Sequence, residues 1–324
     1  MSQTQHDRSQ AERERLERIN SRTGRNMPQA VATGTILVIL VVASIVFVRS
    51  VFVMLCIVFM VLALWELRVD FATAGIRIPV VALWCGAVFT LALTYFYPRH
   101  VAGQAIGVMT SILLAVIFAS MQRRTHVRVS DAVAKKLATA RLDAPADVLG
   151  GTVVHDAMTH IGASVFAVMY VIFLASFIVL PLTMGHPVAH AFMIVFLPAL
   201  GDIGGLFFGA AFGKHKLSPR ISPKKSWEGL FGSVLFSLIG AMCIGLGTYS
   251  LEEFSRNWWV LAILGAMVGV TGLFGDLCAS MIKRDLGIKD MGHLLRGHGG
   301  VLDRVDSILI SAPFVTFVIA VGAL

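Results

Sequence analysis

The sequence predicts an all-α, polytopic integral membrane protein of about nine transmembrane helices with a cytoplasmic N-terminus. Three observations carry that prediction. Of the 324 residues, 56% are hydrophobic and only 14% charged, whereas soluble domains average about 25% charged. The apolar residues fall in runs of about twenty, the length that carries a helix across hydrocarbon. The bases concentrate in alternate connections between those runs, as expected when short cytoplasmic loops retain lysine and arginine.

Residues 1–28 form a basic arm with six arginines. It has no short apolar core followed by a small-residue cleavage site, so a cleaved signal peptide is not expected. From Ala11 to Asn20 it mixes arginine and glutamate at helical spacing, a pattern that fits a solvated arm better than a surface-bound helix. Spans follow near 30–48, 51–69, 79–97, 102–121, 161–181, 188–212, 229–249, 258–282 and 306–323. The first two are separated only by Arg49 and Ser50, which fits a tight hairpin. With the N-terminus inside, 24 of the 27 bases lie on inner segments, and only Arg49, Arg99 and Arg256 lie outside.

The inner loop 122–160 is expected to hold an interfacial helix near Asp131 to Leu142, stopped by Asp143-Ala144-Pro145. The chain divides into the arm (1–28), a membrane region with its inner loop (29–160) and a C-terminal catalytic membrane domain (161–324). No internal repeat is evident, which weighs against a transporter built from inverted halves. Cys56, Cys85, Cys243 and Cys278 sit in apolar segments without metal-ligand spacing and read as packing residues. The formal charge of +8 is broken up by the apolar runs, so no continuous basic patch suited to nucleic acid forms.

Chemistry is sought where polarity enters the apolar runs, because a carboxylate in hydrocarbon costs at least about 2.5 kcal/mol and marks a cavity or pathway. Asp202 and Asp276 are such residues. Asp202 lies ten residues before the inner end of its span, roughly 15 Å deep at the helical rise. Gly201, Gly204 and Gly205 around it permit close helix approach. The next loop carries Ser222, Lys224, Lys225 and Ser226 just before a helix near Glu228. Hydroxyl and ammonium donors there suit phosphate oxygens, although bases at an inner loop are also ordinary topology anchors.

The segment from Gly275 to Asp306 is the most informative in the chain. Asp276 and Lys283 are two helical turns apart and share a face, as do Asp303 and Asp306. Carboxylates brought from two helices suit magnesium, a hard cation that takes oxygen ligands and substrate phosphates. Between them, Gly297-His298-Gly299-Gly300 is a turn whose backbone can approach a ligand.

In their order, Ser280, Lys283, Arg284, Lys289, Asp290, His298, Gly299, Gly300, Asp303, Arg304 and Asp306 resemble the signature of the phosphatidate cytidylyltransferase family. The upstream segment from Ser222 to Gly229 is similar to that family's other inner-loop motif, with serine where threonine is usual. The resemblance covers about residues 200–312, and the first 150 residues match in hydrophobic character only. Two positions depart from the pattern: Arg296 stands where proline is common, and Ile203-Gly204-Gly205 follows Asp202 in place of Thr-x-Ala.

The resemblance implies cytidylyl transfer from CTP to phosphatidic acid, giving CDP-diacylglycerol and pyrophosphate in phospholipid biosynthesis. It implies Mg2+, as one or two cations held by Asp276 and Asp303 with Asp306 or Asp290 in support. Lys224, Lys225, Lys283, Arg284, Lys289 and Arg304 would divide between the CTP phosphates and the lipid phosphate. Asp276, Lys283, Asp303 and His298 would be the catalytic set, on the cytoplasmic side of a bacterial inner membrane. A homodimer is compatible with this reading. Alternatives are a CTP-dependent polyprenol or lipid kinase, a cytidylyltransferase for another lipid phosphate and, from another class, a membrane transporter, whose polar groups should line a path through both leaflets.

Overall fold

A computed structural model describes residues 27–121, 125–128, 152–155, 157–219, 221–288, 291–292 and 300–322. The expected interfacial helix at 131–142, the basic arm, and Lys289, Asp290, Arg296 and His298 lie outside the described residues. The rest is a helical bundle. Its elements are α1 (Met27–Phe47), α2 (Arg49–Thr73), α3 (Val80–Phe96), α4 (His100–Ser120), α5 (Ala157–Thr183), α6 (Pro187–Phe212), α7 (Trp227–Thr248), α8 (Leu251–Asp285) and α9 (Leu302–Gly322).

Seven of these are long and apolar enough to cross a membrane, while α3 and the apolar part of α1, Gly34–Phe47, are shorter. Large apolar side chains such as Ile36, Met54, Met109, Phe207 and Phe231 stand exposed on the outside of the bundle. That is the expected surface of a helix packed on one side and solvated by lipid on the other. The chain is therefore an all-α polytopic membrane protein.

Several boundaries differ from expectation for local reasons. The hairpin between α1 and α2 is a single extended residue, Val48. Helix α8 begins at Leu251, seven residues before the expected 258, and ends at Asp285. Its start is fixed by a capping box in which the Ser250 hydroxyl accepts from Glu253 N–H at 3.2 Å and Glu253 accepts from Ser250 N–H at 2.9 Å. Hydropathy misses such a polar first turn, which the reciprocal cap satisfies. Helix α5 contains a π-helical turn at Val168–Phe173 and ends in a 3₁₀ turn at Leu180–Thr183.

Two stretches read as loop contain antiparallel ribbons. Strand β1 (Thr125–Arg128) pairs with β2 (Thr152–His155), and β3 (Lys216–Ser218) pairs with β4 (Ser222–Ser226).

The C-terminal helices pack through small residues. A side chain at Gly204 of α6 would strike the carbonyl of Gly232 in α7, and one at Gly232 would strike Gly204 in return. Gly269 of α8 sits against the backbone of Val234, and Gly275 against the backbone of Asp306 and Ser307 in α9. Serines stitch the contacts: Ser237 Oγ donates to Leu197 O at 3.0 Å and Ser233 Oγ to Gly269 O at 2.9 Å. Lipid gives helices no hydrophobic drive to associate, so close backbone approach and interhelical hydrogen bonds hold them. Gly201 and Gly204 lie at the expected close approaches, whereas Gly205 is looser: a side chain there would stay 3.4 Å from the Gly229 carbonyl.

Candidate active site

The site forms where the C-terminal parts of α6 and α8 meet β4 and the first turns of α7 and α9. Strand β4 delivers Lys225 beside α8, where its Nζ lies 2.7 Å from Asp276 Oδ2. Both side chains keep partial exposure, as a group that meets a soluble ligand must. The strand ends on Ser226, which is buried and caps α7 by accepting from Gly229 N–H at 3.1 Å. The sequence reading placed Ser226 among the phosphate donors; here its hydroxyl fixes the turn from β4 into α7. Nearby, His215 Nδ1 lies 2.7 Å from Glu228 Oε1 and ties β3 to the same turn. Ser222 is half-buried at the start of β4 and Lys224 is exposed.

Two turns along α8 from Asp276, Lys283 Nζ reaches Asp303 Oδ1 at 2.8 Å. The other carboxylate oxygen, Asp303 Oδ2, accepts from Met291 N–H at 3.0 Å. This pair is better shielded than the first, with side chains 15% and 8% exposed. Asp303 thereby joins the end of α8, the chain at Met291 and the start of α9. Arg284 and Arg304 flank the pair and are exposed.

A third group lies deeper. The single Ser307 Oγ–H is shared between Asp202 Oδ2 at 3.2 Å and Asp306 Oδ1 at 3.4 Å, and Ser307 N–H donates to Asp306 Oδ1 at 2.6 Å. One hydroxyl thus links carboxylates from α6 and α9, and Asp276 and Asp202 both act electrostatically on Asp306. Asp202 keeps accessible surface despite its depth in the helix. Ser307, absent from the sequence-derived site, is the link. Its signal was its place one residue after Asp306, on the same helix turn as Asp303.

The structure therefore brings together Asp202, Lys225, Asp276, Lys283, Asp303 and Asp306, six of the residues that the sequence singled out. Asp303 and Asp306 serve different partners, one holding a lysine and the other a serine.

All of these carboxylates are hard oxygen donors of the kind magnesium prefers. Among the described residues no group of three or more His, Cys, Asp or Glu side chains is arranged to hold a metal ion. Asp276 and Asp303 instead hold lysines. The donor chemistry fits a divalent cation, and ammonium groups now occupy part of that donor set.

Sequence reasoning also missed Glu66, which lies 1% exposed in α2 and accepts from Leu302 N–H at 3.0 Å through Oε2. The signal was available. The inward stripe of α2 runs Ala63, Leu64, Glu66, Leu67, Asp70, Phe71, and two carboxylates on a buried helical stripe demand polar partners.

Two lysine–carboxylate pairs at one end of a bundle of apolar helices define the class of protein: a polytopic membrane protein with a cluster of charged side chains set into its helices. The chain belongs to the cytidylyltransferase family, whose profile matches residues 28–321. It is similar to the phosphatidate cytidylyltransferase of Mycobacterium leprae (strain TN), 33% identical over 293 residues that make up 90% of this chain and 86% of that one. The phosphatidate cytidylyltransferase of Mycobacterium bovis is 32% identical over 292 residues, 90% of this chain and 88% of the relative. That of Staphylococcus haemolyticus is 38% identical over 134 residues, 41% of this chain and 49% of the relative. The likeness thus extends well beyond residues 200–312 and includes the N-terminal helices, where the sequence reading found hydrophobic character alone.

Proposed function

We propose that this protein transfers the cytidylyl group of CTP to phosphatidic acid, forming CDP-diacylglycerol and pyrophosphate. The observation that carries the reading is the clustering of two lysine–carboxylate pairs, Lys225–Asp276 and Lys283–Asp303, at one end of a membrane bundle in a cytidylyltransferase. A site at the ends of membrane helices suits a reaction between a water-soluble donor and a membrane-bound acceptor.

A phosphate oxygen of phosphatidic acid attacks the α-phosphorus of CTP in line. The new P–O bond forms as the bond to pyrophosphate breaks, and the electron pair leaves with pyrophosphate. The acceptor phosphate is already ionised at neutral pH, so no general base is needed. The protein's work is positioning and charge neutralisation. Asp276 and Asp303 orient the ammonium groups of Lys225 and Lys283 toward the polyphosphate. Lys224, Arg284, Lys289 and Arg304 share the remaining phosphate contacts, and His298 binds substrate. Asp276 and Asp303, with Asp306 or Asp290, would hold Mg2+, which supplies further neutralisation of phosphate charge when bound. Asp202 supports the site from inside the membrane.

The site faces the cytoplasm across a cell membrane on this reading. The support is the placement of 24 of 27 bases on segments that share its side. Purified protein supplied with phosphatidic acid, Mg2+ and CTP labelled at either the α- or the γ-phosphorus tests the reaction. Lipid labelled from α-labelled CTP alone is expected. Lipid labelled from γ-labelled CTP would mean phosphoryl transfer and overturn the reading.

A further inference from the structure

The buried carboxylate of Glu66 belongs to α2, far from the site residues in sequence, yet it sits at the junction that builds the site. Its Oε2 accepts from Leu302 N–H at 3.0 Å. Leu302 is the first residue of α9, the helix that carries Asp303, Arg304 and Asp306. The first turn of a helix leaves amide N–H groups without intrahelical partners, and a carboxylate there satisfies one of them and complements the helix dipole. Helix α9 thus takes a cap from another helix.

Two glycines close around the same carboxylate. Gly292 has φ +75°, a conformation that favours glycine, and a side chain there would strike Glu66. A side chain at Gly300 would come within 3.0 Å of Glu66 Oε2 and would collide with the carbonyl of Met291. The chain at 291–292 and the chain at 300–302 therefore both lie against Glu66. One residue further on, Asp303 Oδ2 accepts from Met291 N–H at 3.0 Å and Oδ1 holds Lys283.

From this geometry we infer that Glu66 is a positioning residue for cytidylyl transfer: it caps α9 and clamps both ends of the segment between Gly292 and Gly300, setting Asp303 against Lys283. The N-terminal helices then complete the active site. This inference rests on the reading of Asp303 and Lys283 as site residues.

The test compares Glu66→Met, which fills the same space without an acceptor, with Glu66→Gln, which keeps an oxygen for Leu302 N–H. Hydrogen exchange is followed at amides 300–306 in purified protein without substrate, alongside steady-state kinetics. In Glu66→Met, amides 302–304 should exchange at least tenfold faster while those of α7 and the first half of α8 are unchanged. Its kcat should fall at least tenfold. Its KM for CTP should rise by less than kcat falls, because Lys224 and Lys225 on β4 still meet the polyphosphate while Lys283 is released from Asp303. Glu66→Gln should retain most of the exchange protection and of kcat.

Unchanged exchange at 302–304 in Glu66→Met would overturn the inference, as would protection lost evenly through the bundle or failure of both variants to fold. Because exchange is read without substrate, it separates this inference from the reading of the reaction.

Discussion

The Lys283–Asp303 pair separates what holds the site together from what the site does. With side chains 15% and 8% exposed, the pair is far from the solvated ion pairs worth about 0–1 kcal/mol. Removing one partner of a shielded pair leaves a lone charge and costs roughly 3–5 kcal/mol. Lys283→Met should therefore lower unfolding stability by about 3 kcal/mol or more. Asp303→Asn should cost somewhat less, because an amide oxygen can still accept from Met291 N–H. In the double variant no unpaired charge remains. Its loss should be smaller than the sum of the single losses by about 2 kcal/mol, within the range found for contacting residues.

Unfolding by denaturant in mild detergent, followed through tryptophan fluorescence, measures the cycle, and cytidylyl transfer is assayed on the same samples. Stability should partly return in the double variant while activity stays lost, since neither the ammonium nor the carboxylate is there to act. Strictly additive losses would refute the buried pairing. Activity returning with stability would refute a chemical role for the pair.

Two other outcomes follow from the same geometry. Gly204→Leu should drive α6 from α7 and destabilise by about 1–3 kcal/mol, because its side chain would meet the Gly232 carbonyl, whereas Gly205→Ala, with 3.4 Å to its nearest neighbour, should be nearly neutral; thermal unfolding of both in detergent distinguishes them. Chelation of divalent cations should abolish cytidylyl transfer, and added Mg2+ should restore it. Full activity in excess chelator would remove the cation from the mechanism.

The bundle was legible because its dominant physics is one-dimensional: each helix announces itself as an apolar run long enough for hydrocarbon. What hydropathy misses are ends fixed by polar contacts. The Ser250–Glu253 capping box carries α8 through Glu252, Glu253 and Arg256, residues that a search for apolar runs discards. The ribbon of β3 and β4 hides in a stretch whose lysines and prolines read as loop, though it is what places Lys225 beside Asp276.

The C-terminal site was legible because Asp276, Lys283, Asp303 and Asp306 lie within thirty-one residues of one another and their chemistry is conspicuous in an apolar chain. Their pairing was not. Spacing put Asp276 and Lys283 on one face, but that each takes an opposite charge from another element is a tertiary fact. Glu66 escaped because its partner, Leu302 N–H at the start of α9, lies 236 residues away.

The central claim is that a phosphate oxygen of phosphatidic acid displaces pyrophosphate from CTP at the end of this bundle. Purified wild-type protein and Asp303→Asn, reconstituted in vesicles containing phosphatidic acid and supplied with CTP and Mg2+, test it most directly. The predicted result is CDP-diacylglycerol with an equal amount of pyrophosphate from the wild type and little from the variant. CTP bound by the wild-type protein with no cytidylylated lipid formed would contradict it.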